Sequence, residues 1–311
     1  MRLLLLSDVH IIYNNPICRL DDLVSFQYDK LKFIFDYAID NNIKYILQSG
    51  DWVDNPRNYK VLSDIAFFLK EYKDNVSLFC VFGQHDTYMY SELTRGATNL
   101  GVLERTGLVT ILGSKPTPLI GISLDNNTHA YGVSYGEEIP EVESDDDFNV
   151  LVIHAPITDQ PIHPKAEAID AHEFLATNKD YNLILCGDIH RRFCIGDNKK
   201  NFIINTGPMI RKTADEYNLA HIPSFAVFDT EEREFEWVEI PHKPTDEVIS
   251  RDHIDTPEET ALMLEDFISE MKQDYEITVD LLENIQSFIN KNKLPQSVVN
   301  IISETISRKK G

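Results

Sequence analysis

The sequence predicts an α/β sandwich with a small helical region appended at its C-terminus. Two observations carry this. Five short apolar runs, at residues 3–6, 45–47, 78–82, 150–153 and 183–186, are too short for helices and read as buried strands. Strand and helix signals alternate up to about residue 185, the pattern of sheets covered by helices.

Taken in order, residues 23–39 and 61–72 space their apolar side chains as amphipathic helices do. Beyond residue 183 the chain turns mostly to strands, at 183–186, 202–205, 224–228 and 234–240. A first domain therefore spans 1–240. Residues 241–255 read as a linker, opened by Pro241 and Pro244. Residues 256–311 read as a helical region. Thr256-Pro257-Glu258-Glu259 offers an N-cap, a proline at the first helical position and acidic residues in the first turn. Apolar series beginning at Ala261, Leu281 and Val298 follow.

A chain of 311 residues with 42% hydrophobic residues is long enough for one large domain plus an appendage. No apolar run approaches the ~20 residues of a membrane span. Residues 1–6 turn polar at Ser7 too soon for a signal-peptide core. A cytoplasmic protein is expected, of a bacterial cell or of a host cell if virus-encoded. Cys18, Cys80, Cys186 and Cys194 show no paired CxxC spacing, so free, mostly buried thiols are expected.

Each of the five apolar runs ends in, or is followed closely by, a polar segment: Ser7-Asp8-Val9-His10, Ser49-Gly50-Asp51, Gly83-Gln84-His85-Asp86, Ile153-His154 and Gly187-Asp188-Ile189-His190. Open α/β sheets place their sites at the carboxyl ends of strands, so residues remote in sequence are expected to meet at one rim. Asp8, His10, Asp51, Gln84, His154, Asp188 and His190 offer mixed oxygen and nitrogen donors, suited to manganese, iron or zinc. Thiolate is absent, which argues against a structural zinc.

These segments follow in order a pattern that resembles the calcineurin-like metallophosphoesterases: Asp-x-His, Gly-Asp, Gly-Asn-His-Asp/Glu, His, Gly-His-x-His. The resemblance covers roughly the first two thirds of the chain and implies two mixed β-sheets flanked by helices around a pair of divalent cations. It implies that Asp8, His10 and His190 hold the first ion, that Asp51 bridges, and that Gln84, His154 and Asp188 complete the second site. His85 would act on the leaving oxygen, with Asp86 as its orienting partner. Two positions depart from the pattern. Gln84 stands for the usual Asn, one methylene longer, and Asp188 stands for a His. A carboxylate there favours Mn2+ or Mg2+ over zinc. Both departures fall on one metal site, so they either offset each other or mark a site that has decayed.

Within this family the chain is most similar to the SbcD-like exonuclease subunits of double-strand-break repair. Gly50-Asp51-Trp52-Val53-Asp54 is similar to the Gly-Asp-Leu-Phe-Asp of that branch, and the segment Thr206-Gly207-Pro208-Met209-Ile210-Arg211 to its Pro-Gly-Ser segment followed by Arg. The resemblance implies a DNA exo/endonuclease, with region 256–311 capping the site or docking on an SbcC-like coiled-coil ABC-type ATPase. Amphipathic helices more usually pack on their own domain. Homodimers are common in that branch. No Gly-x-x-x-x-Gly-Lys loop is present, so any ATPase must be another chain. Hydrolysis of a small phosphomono- or diester by the same core, and a decayed scaffold subunit, are the alternatives.

The formal charge of −22 opposes non-specific DNA binding. Part of it is concentrated in Asp145, Asp146 and Asp147 with Glu137, Glu138, Glu141 and Glu143. Candidate DNA contacts are Arg191 and Arg192, Arg211 with Lys212, and Tyr88 and Tyr90 as stacking platforms. Each reads equally well as surface charge or core packing. Asp22, Asp54 and Asp125 are expected to cap or turn the chain.

Overall fold

Successive side chains of the first strand, β1 (Arg2–Leu6), point to opposite faces, and both faces are apolar. Leu3 and Leu5 pack with Leu47, Val150, Val152, Leu183, Leu185 and Phe228 between two sheets. Leu4 and Leu6 pack with Leu31, Ile34, Phe35 and Ile65 beneath helices. A strand with two apolar faces needs a layer on each side, and the fold supplies them: helices, sheet, sheet, helix.

The computed structural model describes residues 1–119, 127–144, 147–161, 168–197 and 200–252. Region 256–311, Asp125, Asp145 and Asp146 lie outside the described residues. After β1 come α1 (Leu23–Asp40), β2 (Tyr45–Gln48), α2 (Tyr59–Tyr72), β3 (Ser77–Cys80), α3 (Asn99–Arg105), β4 (Thr110–Ile111), β5 (Thr117–Leu119), β6 (Thr128–Val133) and β7 (Phe148–Ala155). Then follow β8 (Ile157–Thr158), β9 (Ile169–Asp170), α4 (Ala171–Thr177), β10 (Leu183–Asp188), β11 (Phe193–Asp197), β12 (Asn201–Asn205), α5 (Glu216–Ala220), β13 (Ser224–Asp229), β14 (Glu234–Glu239) and α6 (Thr245–Val248).

The first sheet runs β14-β13-β1-β2-β3-β4, parallel from β1 to β4 with β13 and β14 added antiparallel. The second runs β11-β12-β10-β7-β6-β5, parallel through its four central strands with antiparallel edges. Both sheets are therefore mixed. Helices α1 and α2 cover the first sheet, and Phe174 and Leu175 of α4 cover the second. Asp22 caps α1 by accepting from the Ser25 N–H, and Asn58 caps α2 by accepting from those of Lys60 and Val61. The thiols are free, with Cys18, Cys80 and Cys186 buried.

The stretch read as a linker lies against the domain over its described part. Val248 and Ile249 are buried with Cys18 and Ala214, and the Ser250 N–H donates to the Cys18 carbonyl at 2.8 Å.

Asp86 has a structural task. Its Oδ1 accepts from the backbone N–H groups of Trp52 (3.0 Å) and Val53 (3.2 Å), and its Oδ2 from that of Gly83 (2.9 Å). Among the described residues it makes no hydrogen bond to the His85 ring, the contact expected of an orienting partner. A fully buried carboxylate with three N–H donors ties the loop after β2 to the loop after β3. Truncation would strand those donors without water. Asp86→Ala is expected to cost about 3 kcal/mol, roughly 6–12 °C in Tm for a domain of this size, read by thermal unfolding. An unchanged Tm would show that the loops hold without it.

Candidate metal centre

The polar segments do meet at one rim, and it is a seam between the two sheets. Asp8, Asp51 and Gln84 follow β1, β2 and β3 of the first sheet, while His154 and Asp188 end β7 and β10 of the second. Ser7 joins the halves: its Oγ donates to the Cys186 carbonyl (2.8 Å), and its N–H donates to Thr206 Oγ1 (2.7 Å). The N–H groups of Val9 and His10 both donate to the Asp51 carbonyl, at 3.1 and 2.9 Å.

This close approach demands unusual backbone. His10 (φ 48°), Asp51 (φ 52°) and Asp188 (φ 95°) are all left-handed, a region that side chains other than glycine enter at a cost of order 1–3 kcal/mol. Two glycines permit the crowding. Gly50 sits at φ 95°, where a Cβ would lie 2.5 Å from His154 Nδ1, and a Cβ on Gly83 would collide with the Asp51 carboxylate.

Three overlapping groups of donors result: Asp8, His10 and His190; Asp8, Asp51 and His154; and His10, Asp51 and His85. Within each, the donor atoms lie within 4.8 Å of one another. Asp51 stands in the middle. Its Oδ1 accepts from the His85 N–H (2.8 Å), while Oδ2 lies 3.7 Å from His10 Nε2 and 3.6 Å from His154 Nε2. Oδ2 of Asp51 and Oδ2 of Asp8 are buried without a hydrogen-bond partner. Buried carboxylate oxygens are costly unless paired, and two divalent cations satisfy both oxygens. The donor set fits such a pair.

The imidazole tautomers are set from outside. His154 Nδ1 lies 2.6 Å from the Ser49 carbonyl and carries a proton, and Nε2 lies 2.5 Å from Gln84 Oε1, to which it donates while the ring is cationic. Gln84 Nε2 donates in turn to Asp188 Oδ1, at 2.5 Å. His10 Nε2 lies 2.8 Å from His190 Nε2. The three residues expected at the second ion are thus side by side, and so are those expected at the first. His85 is edge-on to His10, ring centroids 5.0 Å apart, with Nδ1 3.4 Å from the Asp54 carbonyl.

Asp54, read from sequence as a turn residue, belongs to this site. Its Oδ1 lies 2.5 Å from Lys212 Nζ and 3.6 Å from His10 Nδ1. Burial works against its ionisation, yet His10 and Lys212 hold its carboxyl well below the usual range. The signal was its place three residues after Asp51 on a tight loop. The candidate DNA contacts fare differently. Arg211 is buried, its guanidinium donating to Thr245 Oγ1 and to the Lys243 carbonyl. Arg192 is half-buried, donates to Ser224 Oγ (3.1 Å) and lies over the Trp237 ring. Lys212 is taken by Asp54. Arg191 reaches Gln160 Oε1 at 3.4 Å, and Tyr88 is exposed beneath the Arg57 guanidinium, 3.9 Å from its ring centroid. Tyr90 lies in a short 3-10 turn.

Burial dominates the titration of the centre. It pushes Asp8 up to about 7 and Asp51 up to about 6, and with Asp51 beside it Asp86 rises to about 7. Burial lowers His10 to about 3 and His190 well below its ordinary value. His154 is the exception: burial opposes its charge, but Asp51, Asp188 and Asp8 raise it to about 9. The folded, cation-free centre therefore takes up protons where cations would otherwise compensate charge. The raised carboxyls and His154 hold more protons folded than unfolded, so their stabilising contribution is full at low pH and fades from about 4 to 9. His10 and His190 hold fewer, so theirs grows as pH rises to about 6.5. Above pH 6.5 only the falling contribution remains. Chelator-treated protein is expected to lose about 1–3 kcal/mol between pH 6.5 and 9, by urea unfolding, and added Mn2+ to flatten the profile. A flat profile with chelator would contradict this charge balance.

Among solved structures the chain is similar to an archaeal phosphodiesterase, at 12% identity and a TM-score of 0.41 over 77% of this chain and 99% of that one. It is similar to a dimetal phosphatase from Danio rerio, at 14% identity and a TM-score of 0.48 over 78% and 99%. It is also similar to a 5'-nucleotidase from Candida albicans, at 13% identity and a TM-score of 0.42 over 88% and 58%. A search of curated proteins finds no significant match. The calcineurin-like phosphoesterase family model matches residues 1–192, a stretch that includes all seven candidate ligands and His85, and the chain belongs to that family.

Proposed function

We propose that this chain is a metal-dependent DNA exo/endonuclease subunit, SbcD-like in kind, working with an SbcC-like coiled-coil ATPase. The observation that carries the hydrolytic part is the unpartnered Oδ2 of Asp51, poised between the imidazoles of His10 and His154. The DNA part is supported by the loop Gly50-Asp51-Trp52-Val53-Asp54 and by exposed Tyr88 stacked with Arg57 near His85. Manganese or magnesium suits a set in which Asp188 adds a third carboxylate.

When bound, two divalent cations supply a nucleophile at neutral pH and offset charge on the non-bridging oxygens. Asp8, His10 and His190 would hold one, Gln84, His154 and Asp188 the other, and Asp51 both. The Ser49 carbonyl keeps the proton of His154 on Nδ1, so Nε2 stays available as a donor atom. The Asp54 carboxylate lies 3.6 Å from Nδ1 of His10, beyond hydrogen-bond reach, and its charge favours a proton on that nitrogen. With Nδ1 toward the Asp54 carbonyl, His85 would present an Nε2 proton to the leaving sugar oxygen in its cationic form, which a bound phosphate favours.

Hydrolysis of a small phosphodiester is the second reading. It is favoured by the burial or pairing of Arg211, Arg192 and Lys212, three of the basic side chains that a strand would need. End-labelled duplex and single-stranded DNA with Mn2+, run beside bis-p-nitrophenyl phosphate, separates the two. DNA cleavage is expected, and His85→Ala should lower it by about 10²–10⁴. Turnover of the small diester alone would replace the nuclease reading. Failure on both with cations bound would favour a decayed scaffold.

A further inference from the structure

A cavity of about 330 Å³ lies between α1, the loop before it and the segment after β14, and shares no residue with the metal centre. In a chain of charge −22, its lining is cationic: Arg19, Lys30, Arg211 and Lys243 stand against Asp21 and Asp29, four charges to two. Arg19 is spent on Asp21, with two bonds of 2.8 Å. Arg211 is spent on Thr245 and the Lys243 carbonyl. Among the described residues the lysines are not. Lys30 is 9% exposed, and among the described residues its ammonium has one acceptor, the Pro241 carbonyl at 3.3 Å. An ammonium carries three donors, and burying it so poorly paired is costly. Burial and the nearby Arg211 and Arg19 lower Lys30 to about 7. Lys243 Nζ sits 4.7 Å from the centroid of the Phe26 ring, which forms part of the wall.

We propose that this cavity binds a small organic phosphate of nucleoside-monophosphate size, its phosphate between Lys30 and Lys243 and its planar body along Phe26. With Lys30 charged, a form that a neighbouring dianion favours, the surplus of two positive charges matches a phosphate monoester dianion. The volume falls in the range of small-molecule sites, and the mixed apolar and charged lining is what such sites use to fix orientation. The site lies one peptide from Lys212, whose Nζ pairs with Asp54 of the metal centre.

The test is isothermal titration of the full chain in EDTA, which removes cations that would draw phosphate to the centre, with AMP, inorganic phosphate and adenosine. Saturable AMP binding is expected, at least about ten-fold tighter than inorganic phosphate or adenosine and weakened about ten-fold or more by Lys30→Met. Asp51→Asn should leave it unchanged. Lys30→Met removes a buried charge and should fold; Lys243→Ala, at an exposed position, is the second variant and should weaken AMP binding likewise. No binding in EDTA, equal affinity for inorganic phosphate, or affinity indifferent to both lysine variants would overturn the proposal.

Discussion

The rest of the structure depends on one electrostatic constraint, the packing of carboxylates and imidazoles into a buried seam between two sheets. Asp8 and Asp51 are fully buried, His10 and His154 nearly so, and each ionised oxygen there has lost its water. Desolvation at such a site costs several kcal/mol per ion unless opposite charge is close. Protons on Asp8, Asp51 and His154 can offset part of this, but they leave Oδ2 of Asp8 and Oδ2 of Asp51 without partners. Two divalent cations would answer the same need, supplying opposite charge and taking both oxygens as ligands.

Holding like charges together requires a rigid frame. The frame is made of parallel strands whose carboxyl ends face one rim, and loops that cross-bond there through Ser7, the Asp51 carbonyl and Asp86. The left-handed backbones of His10, Asp51 and Asp188 show where the chain is bent to aim its donors. Bonds from Asp86 to the loops after β2 and β3 fix the distance between Asp51 and Gln84. Burial of Leu3 and Leu5 on one face of β1, and Leu4 and Leu6 on the other, anchors this strand between layers.

Much of this was legible in the sequence. Apolar runs too short for helices gave β1, β2, β3, β7 and β10 to within a few residues, because strands buried on both faces read as continuous hydrophobic stretches. The polar residues ending them gave the candidate ligands, since strand ends converge. What was missed depends on contacts across long sequence separations. Asp86 follows His85 in the chain, yet its carboxylate turns to the backbone of Trp52 and Val53, which adjacency cannot reveal. Asp54 looked like one more turn aspartate until Lys212 was found against it, 158 residues away. Arg211 and Arg192 read as DNA contacts or surface charge, but the hydroxyls and carbonyl that capture them come from β13 and the segment after β14. The edge strands β4, β5 and β11 are short or amphipathic and gave little periodicity to read.

The central claim is that the donors form a two-cation centre around Asp51, with Gln84 and Asp188 as working members. The most direct measurement is anomalous diffraction at the manganese edge from crystals grown with Mn2+. Two peaks, one on each side of Asp51, with the second beside Gln84, His154 and Asp188, are the predicted result. A single peak at Asp8, His10 and His190 with none beyond Asp51 would contradict it, and would show that Gln84 and Asp188 have ceased to hold an ion.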